Sequence, residues 1–339
     1  MAPVSACARM LEEMAANRLE PVTTIRPTTG ERPRRGFTPA SLLSLHDAGY
    51  RAVLERLGPG RVLDVGCGEG FESLRLVGGG RQVVGVDYSY EASEAARRAA
   101  HDAAAGSGGP ALSSALSVAQ MDAAALGLAS GTFDAVCSSH LIEHFSDPSG
   151  HVAEVARVLA ETGTAFFLTP NAPADFENPF HLHLFERDDL GRLLRRSFAE
   201  VWVGALDATA RVKAEFAARR AKAEKLLRLD VFDLRHRMPR RWYLAIYTRL
   251  LPIAYALVAR SERGGIVEAR AEHAGAGIGA GTGAGAGGDG AGGDGAGGDG
   301  AGGDGAGAEA DEWMDEWFVA DEVDETTPVL FAICRRPRR

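Results

Sequence analysis

The 339-residue sequence contains little cysteine and fewer basic than acidic residues. Its four cysteines lie far apart, without the paired spacing of a zinc site, and they are too few for a disulfide scaffold. The balance of 37 basic against 46 acidic residues gives a net charge of −9, which offers no general attraction for nucleic-acid phosphates. The first twenty residues lack the uninterrupted apolar core of a secretory signal. We therefore expect a protein of the reducing cytoplasm that binds no nucleic acid.

Glycine, by contrast, is abundant, and its excess is concentrated in one segment. Four consecutive copies of the pentapeptide AGGDG run from Ala286 to Gly305. No side chain there can build a core, and glycine loses the most conformational entropy when it becomes ordered. We therefore interpret residues 264–316 as a flexible acidic linker.

The chain between residues 45 and 206 has a different pattern, in which short apolar runs alternate with helical stretches rich in alanine and arginine. Continuous apolar strands separated by helices predict a parallel sheet that is covered on both faces. The predicted fold class is therefore α/β, with a doubly wound, mostly parallel, seven-stranded sheet. The predicted strands cover residues 61–65, 82–87, 116–122, 133–139, 163–169, 200–206 and 329–335.

The turn after the first strand is the place where such sheets bind a ligand. It reads DVGCGEG from Asp64 to Gly70, and its glycines allow a tight turn and a close approach of the backbone to a ligand. Asp87 ends the second strand, where a carboxylate can accept both hydroxyls of a ribose, and Asp122 ends the third. A nicotinamide-binding turn would need a third glycine at position 71, which is Phe71 here. The pattern therefore disfavours a dinucleotide.

These motifs occur together in one known family. The segments VLDVGCGEG, VVGVDYS, QMDAAAL, FDAVCSSHLIEHF and GTAFFLTPN resemble, in order and at the matching strand ends, the motifs of class I S-adenosylmethionine-dependent methyltransferases. Within that class the chain resembles the small-molecule branch that includes the ubiquinone-biosynthesis O-methyltransferases. The resemblance covers residues 46–206 and 317–336. It implies a Rossmann-like methyltransferase fold with S-adenosyl-L-methionine as the cofactor.

The resemblance also implies roles at the methionine end of the cofactor. Gly66, Cys67 and Gly68 would lie against the methionine part, and Asp64 would help to fix its amino group. The family's residues before the first strand are matched in part by His46, Tyr50 and Arg51.

At the adenosine end of the cofactor, the resemblance implies contacts from the residues at the ends of the second, third and fourth predicted strands. Asp87 would hold the ribose, and Tyr88 would flank the adenine. Asp122 and Ala123 would meet the adenine amino group. Ser139, with the histidine that follows it, would line the floor of the site near the sulfonium.

Four histidines are candidates for the catalytic base. A hydroxyl acceptor needs a base that works near neutral pH, which histidine supplies without much tuning of its pKa. The candidates are His140 and His144 in HLIEHF, and His181 and His183 in NPFHLHLF. Two structural alternatives stay open: His144 packs or caps the next helix, and the alternation FHLHLF forms a short strand with its histidines on the polar face.

The same region contains ligand types for a divalent ion. Glu143, His144 and Asp147 offer carboxylate and imidazole groups, but their spacing is not diagnostic. The sequence alone therefore assigns no metal.

A long insertion separates the last two predicted strands, which this family pairs antiparallel. Its first part, residues 207–263, is basic and helical in pattern, and it includes the apolar run 242–259. We consider three interpretations of that run: a membrane-spanning helix, which Arg249 disfavours; an interfacial helix that contacts the membrane through residues 240–260; and a lid over the acceptor pocket. Ahead of the last strand, residues 313–325 predict a β-hairpin arm.

We thus expect a methyltransferase domain with two additions, and no obligate protein partner. The predicted layout is an N-terminal extension (1–44), the methyltransferase domain (45–206 and 317–339), the helical insertion (207–263) and the linker (264–316). The expected function is transfer of the methyl group of S-adenosylmethionine to a small-molecule acceptor, with oxygen favoured. The alternatives are methylation of a cell-envelope saccharide or lipid-linked glycan, and a binding protein that holds S-adenosylmethionine without catalysis.

Overall fold

The computed structural model describes residues 40–106, 116–175, 180–227 and 313–338, with side chains up to residue 221 in the third range. Of these, residues 45–227 and 315–338 belong to one unit, and residues 40–44 and 313–314 belong to a second. The AGGDG repeats, the apolar run 242–259 and residues 1–39 of the predicted N-terminal extension lie outside the described residues.

Eight strands form a single sheet in the order β3-β2-β1-β4-β5-β8-β6-β7. All seven predicted strands are present, and the predicted α/β fold is confirmed. The strands are β1 (Gly60–Val65), β2 (Arg81–Asp87), β3 (Leu116–Gln120), β4 (Phe133–Ser139), β5 (Leu159–Pro170), β6 (Phe198–Ala208), β7 (Trp317–Ala320) and β8 (Val329–Pro337). The helices are α1 (Ala40–Leu54), α2 (Phe71–Leu76), α3 (Tyr90–Gly106), α4 (Pro148–Val158), α5 (Arg187–Leu194) and α6 (Ala210–Leu227).

The first five strands in chain order are parallel, and their register brings their carboxyl ends together. Asp64 in β1 is level with Gly85 in β2 on one side and with Cys137 in β4 on the other. The turn after β1 therefore lies between the end of β2, at Asp87, and the end of β4, at Ser139. This edge of the sheet is the one at which the sequence predicts the ligand.

The other half of the sheet is closed by the last strand of the chain. Strand β8 lies antiparallel between β5 and β6, and Phe331 is opposite Leu168 on one side and Gly204 on the other. The predicted antiparallel pair of β6 and β8 thus forms although more than a hundred residues separate the two strands. The core is densest here, around the fully buried phenylalanines Phe133, Phe166, Phe167, Phe198 and Phe331.

The segment before the last strand differs from its prediction. Trp317–Ala320 forms an additional strand, β7, which pairs with β6 at residues 205–208 instead of forming a hairpin with β8. The sheet therefore has eight strands where the sequence predicted seven. The reason is that β6 is longer than predicted: it continues to Ala208, and this extension provides the pairing edge for β7.

The predicted helical start of the insertion is present as α6, which begins directly after β6. Within the described part of the chain, we find no helix with the length and apolar character needed to cross a membrane.

Candidate active site

The turn after β1 is built from glycines in the left-handed region. Gly66 has a φ of 81°, and a Cβ there would come within 3.1 Å of the Leu141 side chain. The backbone N–H groups of Gly66 and Cys67 both donate to the carbonyl of Val86, at 2.7 and 3.0 Å. The Cys67 side chain is buried against Gly85, where a Cβ would lie 3.0 Å from its Sγ atom. The turn is therefore closely packed on both sides, and the size of Cys67 matters more than its thiol.

Asp87 fastens this turn to the end of β2. One carboxylate oxygen accepts from the Gly68 N–H at 3.0 Å, and the other accepts from the Ser89 N–H at 2.8 Å. Asp87 thus positions the turn at the edge of the sheet where a ribose is predicted.

Asp64 lies beneath the turn and is fully buried. Its two carboxylate oxygens accept from the hydroxyls of Tyr50, at 3.0 Å, and Ser73, at 2.5 Å. Burial raises the pKa of Asp64 to about 6, although the two hydroxyls oppose that shift. Tyr50, which matches the family in part, therefore supports the turn from α1. Its neighbour Arg51 donates instead to the Trp317 carbonyl.

The predicted adenine contacts lie after β2 and β3. Tyr88 is 39% exposed, and its carbonyl accepts from the Gln120 side chain. Asp122 is exposed and accepts from the Ala124 N–H at 2.9 Å. This hydrogen bond shapes the segment between β3 and β4, residues 121–132, which we call the strap after β3. Ala123 is buried in the same strap. All of these residues lie at the predicted edge of the sheet.

A residue that the sequence analysis missed holds this strap in place. His151 of α4 is fully buried, and its Nδ1 lies 3.1 Å from the carbonyl of Ala123. Its Nε2 lies 2.9 Å from the hydroxyl of Ser138 in β4, and its ring stacks on Phe145. Burial lowers the pKa of His151 to about 4, so the ring is neutral at pH 7. The pattern of apolar residues in α4 indicates only that His151 faces the core. No local motif indicates its partners, because they are distant in sequence.

The end of β4 carries buried polar atoms that lack partners. Among the described residues, neither the Ser139 hydroxyl nor Nε2 of His140 has a hydrogen-bond partner. His140 has a φ of 50°, and its N–H donates to the Leu168 carbonyl at 2.8 Å. The ring of His46 lies 4.5 Å from that of His140, centroid to centroid, and burial lowers the pKa of His46 to about 3. A residue with a strained backbone beside buried polar atoms is typical of binding sites.

Glu143 lies one turn beyond His140 and is 1% exposed. Its Oε2 accepts from the hydroxyl of Thr169 at 3.0 Å, and its Oε1 lies 3.6 Å from Nδ1 of His140. Burial alone would raise the pKa of Glu143, but the nearby His140, His144 and His181 lower it to about 2. Glu143 is therefore a buried carboxylate with histidines on several sides.

The remaining candidate histidines lie around Glu143 in different ways. The rings of His144 and His181 are 5.2 Å apart, and Nδ1 of His181 lies 2.6 Å from the carboxylate of Asp175. His183 is placed differently, since its Nδ1 lies 2.9 Å from the Phe145 carbonyl. Of the four predicted bases, three have side chains near the Glu143 carboxylate: His140, His144 and His181.

Three sequence interpretations of this region are corrected. The alternation FHLHLF is a loop and not a strand, because the N–H groups of Leu182 and His183 both donate to the Glu143 carbonyl. His144 lies in a short 3-10 turn and does not cap α4. The cap is Asp147, whose carboxylate accepts from the Ser149 N–H at 3.0 Å, so this carboxylate is not part of the cluster around Glu143.

Comparisons with known proteins agree with this geometry. Residues 63–167 match the family described as a methyltransferase domain. A probable S-adenosylmethionine-dependent methyltransferase of Mycolicibacterium smegmatis is 30% identical over 182 residues, which are 52% of this chain and 66% of that protein. A protein of the same description from Mycobacterium tuberculosis is 32% identical over 155 residues, 44% of this chain and 52% of that protein.

Two further similarities cover a third to a half of the chain. A ubiquinone biosynthesis O-methyltransferase of Thiobacillus denitrificans is 36% identical over 114 residues, 34% of this chain and 46% of that protein. The solved structure of an S-adenosylmethionine-dependent methyltransferase from Methanosarcina mazei is similar to 47% of this chain and 90% of its own, at 22% identity and a TM-score of 0.38. The chain spans about half to two thirds of the length of these curated relatives.

The motif order, the eight-stranded sheet and the matches to curated proteins lead to the same family. S-adenosylmethionine is the cofactor of that family. Residues 63–167 form a methyltransferase domain, and the chain is similar to S-adenosylmethionine-dependent methyltransferases over about half of its length.

Proposed function

We propose that this chain transfers the methyl group of S-adenosylmethionine to an oxygen atom of a small-molecule acceptor. The observation that carries the proposal is the position of His140, a half-buried histidine with a buried Nε2 atom, next to the turn after β1. Leu141, the following residue, lies within 3.1 Å of where a Cβ on Gly66 would be. A group able to accept a proton therefore lies at the edge of the sheet where the cofactor is expected.

The proposed reaction makes modest demands on the protein. The methyl group of the sulfonium is already activated, so the protein mainly has to align the acceptor with it. The acceptor oxygen forms a bond to the methyl carbon while the sulfur–carbon bond breaks, leaving the neutral thioether S-adenosylhomocysteine. The hydroxyl proton passes to His140, whose second ring nitrogen lies 3.6 Å from the Glu143 carboxylate. Oxygen is favoured because a hydroxyl needs this removal of a proton.

The proposed cofactor contacts follow from the strand ends. Gly66, Cys67 and Gly68 provide the surface for the methionine part, and Asp64 acts beneath them as a buried support. Asp87, at the end of β2, binds the ribose hydroxyls with its carboxylate. We assign the adenine to Tyr88, Asp122 and Ala123, and the floor of the site to Ser139.

The cofactor assignment is tested by titration calorimetry of the full-length chain with S-adenosylmethionine and S-adenosylhomocysteine. Asp87→Ala should weaken binding by about 10- to 100-fold, because a hydrogen bond to a charged group contributes about 1.5–3 kcal/mol. Asp102→Ala is the matched control, because its carboxylate is 81% exposed and lies away from the strand ends on α3. Equal binding by both variants would contradict the assignment of Asp87.

The catalytic assignment is tested with His140→Asn, which tolerates the left-handed backbone of this position but cannot accept a proton at neutral pH. We expect kcat to fall by about 10²- to 10⁴-fold while S-adenosylhomocysteine binds as before. The measurement is transfer of label from methyl-labelled S-adenosylmethionine to a panel of phenolic and other hydroxylated acceptors. His101→Asn, at an 82% exposed position, serves as the control. An unchanged kcat for His140→Asn would remove His140 from the mechanism.

The same assay separates the alternative functions. Label found only in a lipid or saccharide extract would favour a cell-envelope acceptor. Tight cofactor binding with no transfer to any acceptor or extract would favour a non-catalytic binding protein.

We also propose a location in the reducing cytoplasm. Support comes from Cys67, Cys137 and Cys334, which are buried free thiols. The predicted peripheral membrane contact falls on residues 240–260, outside the described residues, and it stays a prediction. So does the expected absence of a nucleic-acid partner.

A further inference from the structure

Three side chains of the Glu143 cluster have the composition of a metal site. Glu143, His144 and His181 each offer one ligand atom, and the three atoms lie within 4.8 Å of one another. Two of them come from the 3-10 turn after β4, and the third comes from the loop that follows β5. Metal–ligand bonds of about 2.1 Å in a tetrahedral site place the ligand atoms at about 3.4 Å from one another, so binding of an ion would draw these three atoms closer together.

The carboxylate of Glu143 has an unused acceptor in a buried place. Thr169 satisfies Oε2, whereas Oε1 has no hydrogen-bond partner among the described residues. Nδ1 of His140 lies 3.6 Å from Oε1, too far for a hydrogen bond. A buried charged oxygen without a hydrogen bond costs free energy, and coordination of a cation would reduce that cost.

The two imidazoles are held in the way that metal-ligating histidines usually are. Nδ1 of His181 lies 2.6 Å from the Asp175 carboxylate, and Nδ1 of His144 lies 3.2 Å from the Phe180 carbonyl. Both partners are acceptors, so a proton on each Nδ1 would satisfy them and would make Nε2 the ligating nitrogen of each ring. An acceptor on the second nitrogen fixes the tautomer and raises the basicity of a ligating imidazole.

We propose that Glu143, His144 and His181 bind one divalent transition-metal ion, with Asp175 as the outer partner of His181. Two imidazoles and one carboxylate suit zinc, cobalt, iron or nickel, whereas magnesium and calcium prefer oxygen ligands alone. Three protein ligands leave coordination positions open, as at catalytic zinc sites.

The open positions give the ion a role in the proposed reaction. A coordinated acceptor hydroxyl is more acidic, so its oxygen is a better nucleophile at neutral pH. That oxygen then bonds to the methyl carbon of the sulfonium, the sulfur–carbon bond breaks, and the hydroxyl proton leaves to His140. This role rests on the proposed methyl transfer, whereas the binding of the ion does not.

The test measures metal binding without turnover, so it can fail independently of the proposed function. Tag-free full-length protein is freed of metal with a chelator and titrated with Co²⁺, while calorimetry and the visible absorption of bound cobalt are followed. We expect one Co²⁺ per chain, displaced by Zn²⁺, with the cobalt absorption of an imidazole-containing site. Mg²⁺ at the same concentration should neither bind nor displace the cobalt.

Variants identify the ligands. Glu143→Gln and His181→Ala should each abolish stoichiometric binding, and Asp175→Asn should weaken it by about 10- to 100-fold through its effect on His181. His101→Ala, which removes an exposed histidine, should bind as the wild type does. Binding of S-adenosylhomocysteine by each variant shows that the domain is folded.

Two results would overturn the proposal. One is a folded wild-type chain that binds S-adenosylhomocysteine but takes up no Co²⁺ or Zn²⁺. The other is equal Co²⁺ affinity in the wild type, Glu143→Gln and His181→Ala, since surface histidines would then account for the binding.

Discussion

At the scale of single residues, the cofactor turn depends on a backbone conformation that only glycine adopts readily. Gly66 has a φ of 81°, and the side chain of Leu141 occupies the space that a Cβ at this position would need. An L-residue in the left-handed region costs about 1–2 kcal/mol before any clash is counted. Glycine at this position is thus required by the turn and by the approach of the loop after β4.

We predict that Gly66→Ala destabilises the domain by about 2 kcal/mol and weakens S-adenosylhomocysteine binding at least tenfold. The free energy of unfolding in urea and the calorimetric Kd are the measurements. Gly127→Ala is the matched control, because a Cβ there meets nothing within 4 Å and we expect a change of less than 0.5 kcal/mol, roughly that of a surface substitution. Similar values for the two variants would show that the turn tolerates a side chain.

The residue scale also shows why some site residues were predictable. Asp87 and Asp122 end their strands, so a strand assignment is enough to bring them to one edge. Asp175 and Thr169 carry no such signal, since no spacing rule links Asp175 to His181 six residues later, and Glu143, the partner of Thr169, lies in the turn after β4. The sequence could name the histidines, but it could not say which carboxylates they meet.

At the scale of elements, α4 links the strap after β3 to the sheet. His151 contacts the carbonyl of Ala123 after β3 and the hydroxyl of Ser138 in β4, and its ring stacks on Phe145. Through Ser138 and Phe145 the same side chain borders the histidines of the candidate site. The position of the helix therefore couples the two ends of the proposed cofactor pocket.

We predict that His151→Gln raises the Kd for S-adenosylhomocysteine by about 2- to 10-fold, the equivalent of one hydrogen bond. The predicted change follows from the strap losing its fixed position at Ala123. Calorimetry measures it, and an unchanged Kd would show that the strap keeps its place without His151.

The same variant has a pH-dependent effect on stability. Burial lowers the pKa of His151 from 6.5 to about 4, so its contribution is fully present above pH 6.5 and is lost as the pH falls towards 4. That shift corresponds to about 3 kcal/mol. His151→Gln should therefore be less stable than the wild type at pH 7.5, and the difference should shrink by about 3 kcal/mol at pH 4. A difference in unfolding free energy that is constant with pH would contradict a neutral buried His151.

At the scale of the whole molecule, the end of the chain completes the core. Strand β8 pairs on both sides, with β5 and with β6, and Val329, Leu330, Phe331 and Ala332 are fully buried. The insertion before it is tolerated because loop-closure entropy grows only slowly with loop length.

We predict that ending the chain at Pro328 prevents folding, because β5 and β6 would then present two open edges and the apolar residues of β8 would be lost. Circular dichroism and thermal unfolding of the purified chains measure this. Phe318→Ser is the control, since this residue of the edge strand β7 is 48% exposed and should change stability by no more than about 0.5 kcal/mol. A cooperative thermal transition in the truncated chain, at the wild-type temperature, would contradict the prediction.

The sequence by itself determined the α/β class, the seven main strands and the residues at their ends, because the alternation of apolar runs and helical stretches is local and strongly periodic. It also predicted the pairing of β6 with β8 across the insertion, since the last apolar run resembles the family's closing strand. These features depend on neighbours in sequence or on a family pattern that the chain keeps.

Only the tertiary structure decided what the polar side chains meet. It showed that Asp147 caps a helix, that His181 joins Glu143 and His144 from a different loop, and that His151 contacts the strap after β3. It also showed the eighth strand at the edge of β6. Hydrogen bonds and ligand clusters join residues that are distant in sequence, so they follow from the way strands and loops are packed, which no local spacing specifies.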